Sequence, residues 1–231
     1  KGHGGAINLS VGTGTANKGG NVVVTAGHAT ATASGTGGDV SIQSGKGTAS
    51  TSGSITIETV NAGTNGISGL LTFSSGTTTK GNSGSISVGT GKATKGNGGL
   101  ISITVGSGSK NSGGSVTIMS GTTTQSGDTG TGGLLHLTAG AGKGATGGKV
   151  QLIAGWGKAT TSGSVTIKTV NAGTNGVSGE LVFSSGTTTK GDSGAVYIGT
   201  GSAVKGHGGA INLSVGTGTA NKGGNVVVTA G

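Results

Sequence analysis

The chain has 231 residues, 58 of them glycine, with no proline and no cysteine, and its net charge of +9 rests on lysine alone. Its apolar content is 29% and its aromatic content 2%, against about 45–50% apolar in ordinary soluble domains, so the bulk for a thick core is missing. Zero proline excludes collagen, zero cysteine excludes a disulfide scaffold, and no apolar run approaches the ~18 residues of a membrane-spanning helix.

Internal repetition organises everything else. Units begin at Gly4, Gly19, Gly37, Ser52, Ser68, Ser83, Gly98, Gly113, Gly132, Gly147, Ser162, Ser178, Ser193, Gly208 and Gly223. Most are 15 residues long, while those at Gly19 and Gly113 run to 18 and 19. The shared opening is a nine-residue motif, Gly/Ser-Gly-x-φ-x-φ-x-small-Gly, where φ is Val, Ile, Leu or Phe (Val60 and Val170 replace its last glycine in two units), and a polar stretch follows. Positions 4 and 6 are apolar in every unit, from Ile7/Leu9 and Val22/Val24 through Val40/Ile42, Ile55/Ile57, Leu71/Phe73 and Val116/Ile118 to Val196/Ile198. A spacing of two is the period of a strand, and the β-branched residues that dominate these positions favour one. Regular alternation of this kind argues against a disordered linker.

Two apolar anchors cannot close a core within one unit, but stacked units would cover one another. The expected fold is therefore all-β: a parallel β-solenoid of about 15 residues per coil, with a thin Val/Ile/Leu core and no caps. Glycines at the motif ends are expected at its corners, for positive φ or close backbone approach. Polar halves such as Gly12–Ala16 and Gly76–Lys80 are expected to form a second wall. The longer units would add outward bulges at Ser34–Thr36 and Asp128–Thr131.

Two higher levels of repetition follow along the chain. Ser52–Gly84 recurs almost unchanged as Ser162–Gly194, including the shared VNAGTNG run, and Lys205–Gly231 repeats Lys1–Gly27 without a change. The chain thus reads as one continuous array over 1–231, with a 204-residue period (1–204, then 205–231 repeating 1–27) and a sub-repeat at 52–84 and 162–194. Such identity leads us to expect a window cut from a longer array.

An uncapped array exposes strand edges, which points to a stiff filament whose partner is itself, end to end or through continuous chain. The stretches GGDVSIQSG (Gly37–Gly45), SGSISVGTG (Ser83–Gly91) and GGSVTIMSG (Gly113–Gly121) are similar to Gly/Ser/Thr-rich short-repeat proteins with GGxVxIxSG-type units, encoded in algal and other protist genomes. The resemblance runs the whole length of the chain. It implies a structural protein at the cell surface or outside the cell, and it brings neither catalytic residues nor a cofactor.

Chemistry-bearing residues are few. No HExxH occurs, and GxG and GK in Gly89–Gly99 and Gly140–Gly148 complete neither GxGxxG nor GxxxxGK[ST], so enzyme, metal and cofactor readings find no support. His136, between two apolar anchors, reads as a solvated surface residue. Lys80, Lys95 and Lys110 share one unit position on successive units, as do Lys190 and Lys205. In a solenoid they form a ladder with like charges about 5 Å apart, either a solubilising face or a stripe for acidic polysaccharide or mineral. Nucleic acid is disfavoured by the lack of arginine and aromatics.

Thr13/Thr15, Thr77/Thr79, Thr122/Thr124 and Thr187/Thr189 suggest an ice-binding alternative. His28, Lys46, Asn61, Lys92, Trp156 and Lys158 at the equivalent outward positions argue against a flat ice-matching face. Asn8-Leu-Ser10, repeated at Asn212-Leu-Ser214, is the one N-glycosylation pattern.

Overall fold

A computed structural model of the chain describes residues 4–15, 18–31, 34–110, 112–124, 130–219 and 222–230. It divides into two units, Lys1–Gly114 and Ser115–Gly231, and the same local organisation recurs inside each. Among the described residues there is no helix and no β-strand. The all-β reading, a parallel β-solenoid or β-helix, is therefore wrong, and with it goes the stacking of coils as the means of making a filament.

The connections between motifs show why. Position 8 of a motif is Ala, Ser, Thr or Val, and position 2 of the next is always glycine. At all fourteen junctions these two residues meet across the polar stretch. A β-carbon placed on the glycine would lie 3.5 Å from Ala26 Cβ at Gly38, 3.4 Å from Ser44 Cβ at Gly53, 3.2 Å from Thr59 Cγ2 at Gly69 and 3.3 Å from Ala139 Cβ at Gly148. At Gly20 and Gly114 it would overlap a methyl group of Val11 and Val105. The polar stretch thus returns to the end of the motif it has just left. A solenoid coil would instead return it to the start of that motif, about 20 Å away for six residues at about 3.3 Å each. The polar halves are pinched loops, and among the described residues no second wall covers the apolar anchors.

Exposure follows from this geometry. The least exposed residues lie at these necks or in the loops, among them Ala26, Ser75, Ser120, Ala139 and Ala154 at position 8. No hydrophobic side chain is buried among the described residues. Partial shelter is confined to position 4, while position 6 runs from 52% exposed at Ile167 to 91% at Val228. Position 4 is about half exposed, from Leu71 at 47% to Val226 at 60% with Ile7 the exception, while Val23, Met119 and Tyr197 beside the anchors are at least 80% exposed. The total accessible area is 23219 Å², whereas a compact protein of this mass would expose about 9,000 Å² and its unfolded chain about 31,000 Å².

Composition explains the outcome. Fully burying an aliphatic side chain stabilises by about 1.5–3 kcal/mol, and each repeat offers two. Fixing the backbone costs about 1–2 kcal/mol for every residue, and glycine, abundant here, loses the most freedom. Local loop closure orders fewer residues per bond formed than a coil does, so it is the structure this chain adopts.

Candidate functional site

The loops are the parts with defined geometry, and their necks close in two ways. At five necks, all with Ala or Ser at position 8, backbone meets backbone. Gly38 N–H donates to Gly27 O at 2.9 Å, Gly53 to Gly45 at 2.9 Å, and Gly133 to Gly121, Gly148 to Gly140 and Gly163 to Gly155 at 2.8 Å each. At two of the four necks with Thr at position 8 the hydroxyl serves instead: Thr59 Oγ1 donates to Gly69 O at 3.2 Å and Thr90 Oγ1 to Gly99 O at 3.4 Å. Each bond is exposed and contributes about 1 kcal/mol net, enough to bias a loop closed but not to lock it.

Inside the loops the sequence selects the turn. Six loops carry glycine two residues after the motif-ending glycine, at Gly14, Gly47, Gly108, Gly142, Gly157 and Gly218. In every one, a β-carbon would collide with the carbonyl oxygen four residues on, of Lys18, Thr51, Ser112, Thr146, Thr161 and Lys222 respectively. Only a residue without Cβ permits that approach. The VNAGTNG loops instead make a four-residue turn, with Gly66 N–H donating to Gly63 O at 3.1 Å and Gly176 to Gly173 at 3.3 Å. Among the described residues no motif-end glycine has the expected positive φ; the glycines that do, Gly144 (φ 82°) and Gly191 (φ 124°), lie within loops. Close approach explains the position-2 glycines.

The residues singled out from sequence are exposed but dispersed. Asn8 and Asn212 are exposed at position 5 of their motifs. His136 is exposed as expected, yet it has a partner: its Nε2 lies 2.7 Å from Thr138 Oγ1, two residues on along the same face. The paired threonines are exposed on the loops, and the shared face expected for them required stacked coils. Ser34–Thr36 belongs to a loop in which a β-carbon on Gly35 would lie 3.0 Å from Ala29 Cβ. Of Asp128–Thr131, Asp128 and Thr129 lie outside the described residues, as does His3. Lys80, Lys95, Lys110, Lys190 and Lys205 all stand at exposed chain bends in their loops. The 5 Å ladder expected for them required stacked coils and falls with the solenoid. No three His, Asp or Glu side chains converge among the described residues, and no helix among them is long and apolar enough to cross a membrane.

Charge is sorted between motif and loop, a pattern carried by the whole repeat and by no single residue. Of 14 lysines, only Lys149 and Lys168 lie inside a nine-residue motif, whereas three of the five carboxylates, Asp39, Glu58 and Glu180, do. The motifs therefore carry −1 and the segments outside them +10, which together make the net +9. No protein-family model, no curated protein and no solved structure matches the chain.

Proposed function

We propose that this is a structural repeat protein that acts by associating with further copies of itself, as part of a fibrous material at or outside the cell surface. The observation that carries this reading is the apolar stripe at position 4, present in all fifteen motifs and left about half open along the chain. Apolar area is favourable to remove from water, at about 25 cal/mol per Å², and the chain alone does not remove it. Equivalent stripes on a second copy supply matching surfaces. The surface location rests on the resemblance to Gly/Ser/Thr-rich short-repeat proteins.

Light scattering across a range of concentration and salt tests the proposal. The net charge of +9 opposes association at low ionic strength, and salt screens it. Mass is therefore expected to grow with both concentration and salt, and Leu135→Ser with Val150→Ser is expected to shift growth to higher concentration. A mass that stays at 21.2 kDa throughout would contradict the reading.

A further inference from the structure

We infer that the loops form a multivalent binding array for a long acidic polysaccharide, with the polymer held by lysines on successive loop bends. The inference does not rest on self-association. It rests on the sorting of charge just described, joined to the placement of the lysines. Ten of the fourteen inter-motif loops carry at least one lysine, whereas their only carboxylates are Asp128 and Asp192. Lys80, Lys95, Lys110, Lys190 and Lys205 stand where their loops bend, and they are exposed, so each ammonium is free to meet an anionic group without first losing a buried environment.

Spacing decides the size of the ligand. Two neighbouring loop lysines are separated by a nine-residue motif, which spans at most about 30 Å. A small anion that meets a single exposed ammonium is bound weakly. A polymer that bridges several loops gains from each further contact, because every later contact is intramolecular. The positive net charge also draws a polyanion to the chain before any contact forms.

The chemistry favours a polysaccharide over a nucleic acid. Lysine offers point charges that suit carboxylate and sulfate groups held at intervals along a sugar chain. Nucleic-acid recognition draws on arginine and on aromatic stacking, and this chain has no arginine and four aromatics, Phe73, Trp156, Phe183 and Tyr197.

The test compares two charge-matched double variants of the full chain, diluted below the range where its mass grows. One is Lys95→Gln with Lys110→Gln, from adjacent loops. The other is Lys149→Gln with Lys168→Gln, from motifs. Binding to long-chain alginate is measured by titration from low to physiological salt, with an alginate disaccharide and single-stranded DNA as comparison ligands. The unaltered chain is expected to bind the polymer with an affinity that falls steeply as salt rises, and to bind the disaccharide at least tenfold more weakly, as multivalency requires. The loop variant is expected to lose several-fold in affinity with a shallower salt dependence, and the motif variant to match the unaltered chain. Equal loss in both variants would overturn the inference, since net charge alone would then account for binding. DNA bound as tightly as alginate, or a disaccharide bound as tightly as the polymer, would overturn it too.

Discussion

Gly142→Ala is expected to open the loop between Gly140 and Gly148, whereas Gly140→Ala, two residues away, leaves it closed. A β-carbon at residue 142 would fall 2.5 Å from Thr146 O, 2.6 Å from Ala145 O and 2.8 Å from Thr146 C. All three are backbone atoms, so relief requires the turn itself to move, at a cost of about 1–3 kcal/mol by analogy with overpacking elsewhere. A β-carbon on residue 140 would meet nothing within 4 Å. The measurable consequence is at Gly148, whose N–H donates to Gly140 O across the neck. Its amide exchange is expected to accelerate up to about fivefold in Gly142→Ala, the protection that a closure of about 1 kcal/mol provides, since exchange of a locally protected amide reports the opening free energy. In Gly140→Ala it is expected to stay at the original rate. Equal rates in the two variants would refute the close approach at residue 142.

A second large effect is expected where valine occupies position 8. At the neck formed by Val105 and Gly114, a β-carbon on residue 114 would overlap Val105 Cγ1. That methyl sits directly on the β-branch and cannot swing aside as the end of a long side chain would. Gly114→Ala alone is therefore expected to abolish the nuclear Overhauser contact between the Val105 methyls and residue 114. Combining it with Val105→Ala removes the obstructing methyl and is expected to restore a contact between the two alanine methyls. The coupling between neighbours in such a cycle is about 0.5–3 kcal/mol, and additive behaviour would show that the two residues do not meet.

The sequence made the repeat and its two apolar positions plain, because an alternation such as Leu71-Thr-Phe73 or Val116-Thr-Ile118 says which residues share a face. The exposure pattern keeps only half of that alternation, with Leu71 at 47% and Phe73 at 66%. What covers the face is a separate physical question that periodicity does not address. Stacked coils and pinched loops ask for the same glycine at position 2, the first to turn a corner and the second to admit the position-8 side chain. The deciding contact, Ser44 against Gly53 or Thr90 against Gly99, spans a polar stretch that has no hydrophobic period of its own. Local turn chemistry carried more information than its use suggested. The glycine of Gly45-Lys-Gly47 marks a tight loop, and Gly63-Thr-Asn-Gly66 marks a closed turn, both readable as turn signals. The lysine positions were legible as well. Their spacing in space was not, because it depended on the fold assumed for the loops.

The pinched neck is the central claim, and a cysteine pair tests it without background, since the chain has no cysteine of its own. A β-carbon on Gly84 would lie 3.4 Å from Ser75 Cβ, close to the ~3.5–4.5 Å between Cβ atoms of a disulfide. Ser75→Cys with Gly84→Cys is expected to form an intramolecular disulfide rapidly and almost completely under mild oxidation in dilute solution. Ser75→Cys with Thr90→Cys, which joins position 8 of successive motifs, is expected to form it slowly. The opposite order, with the Ser75/Thr90 pair closing and the Ser75/Gly84 pair remaining reduced, would mean that equivalent positions stack and would contradict the account.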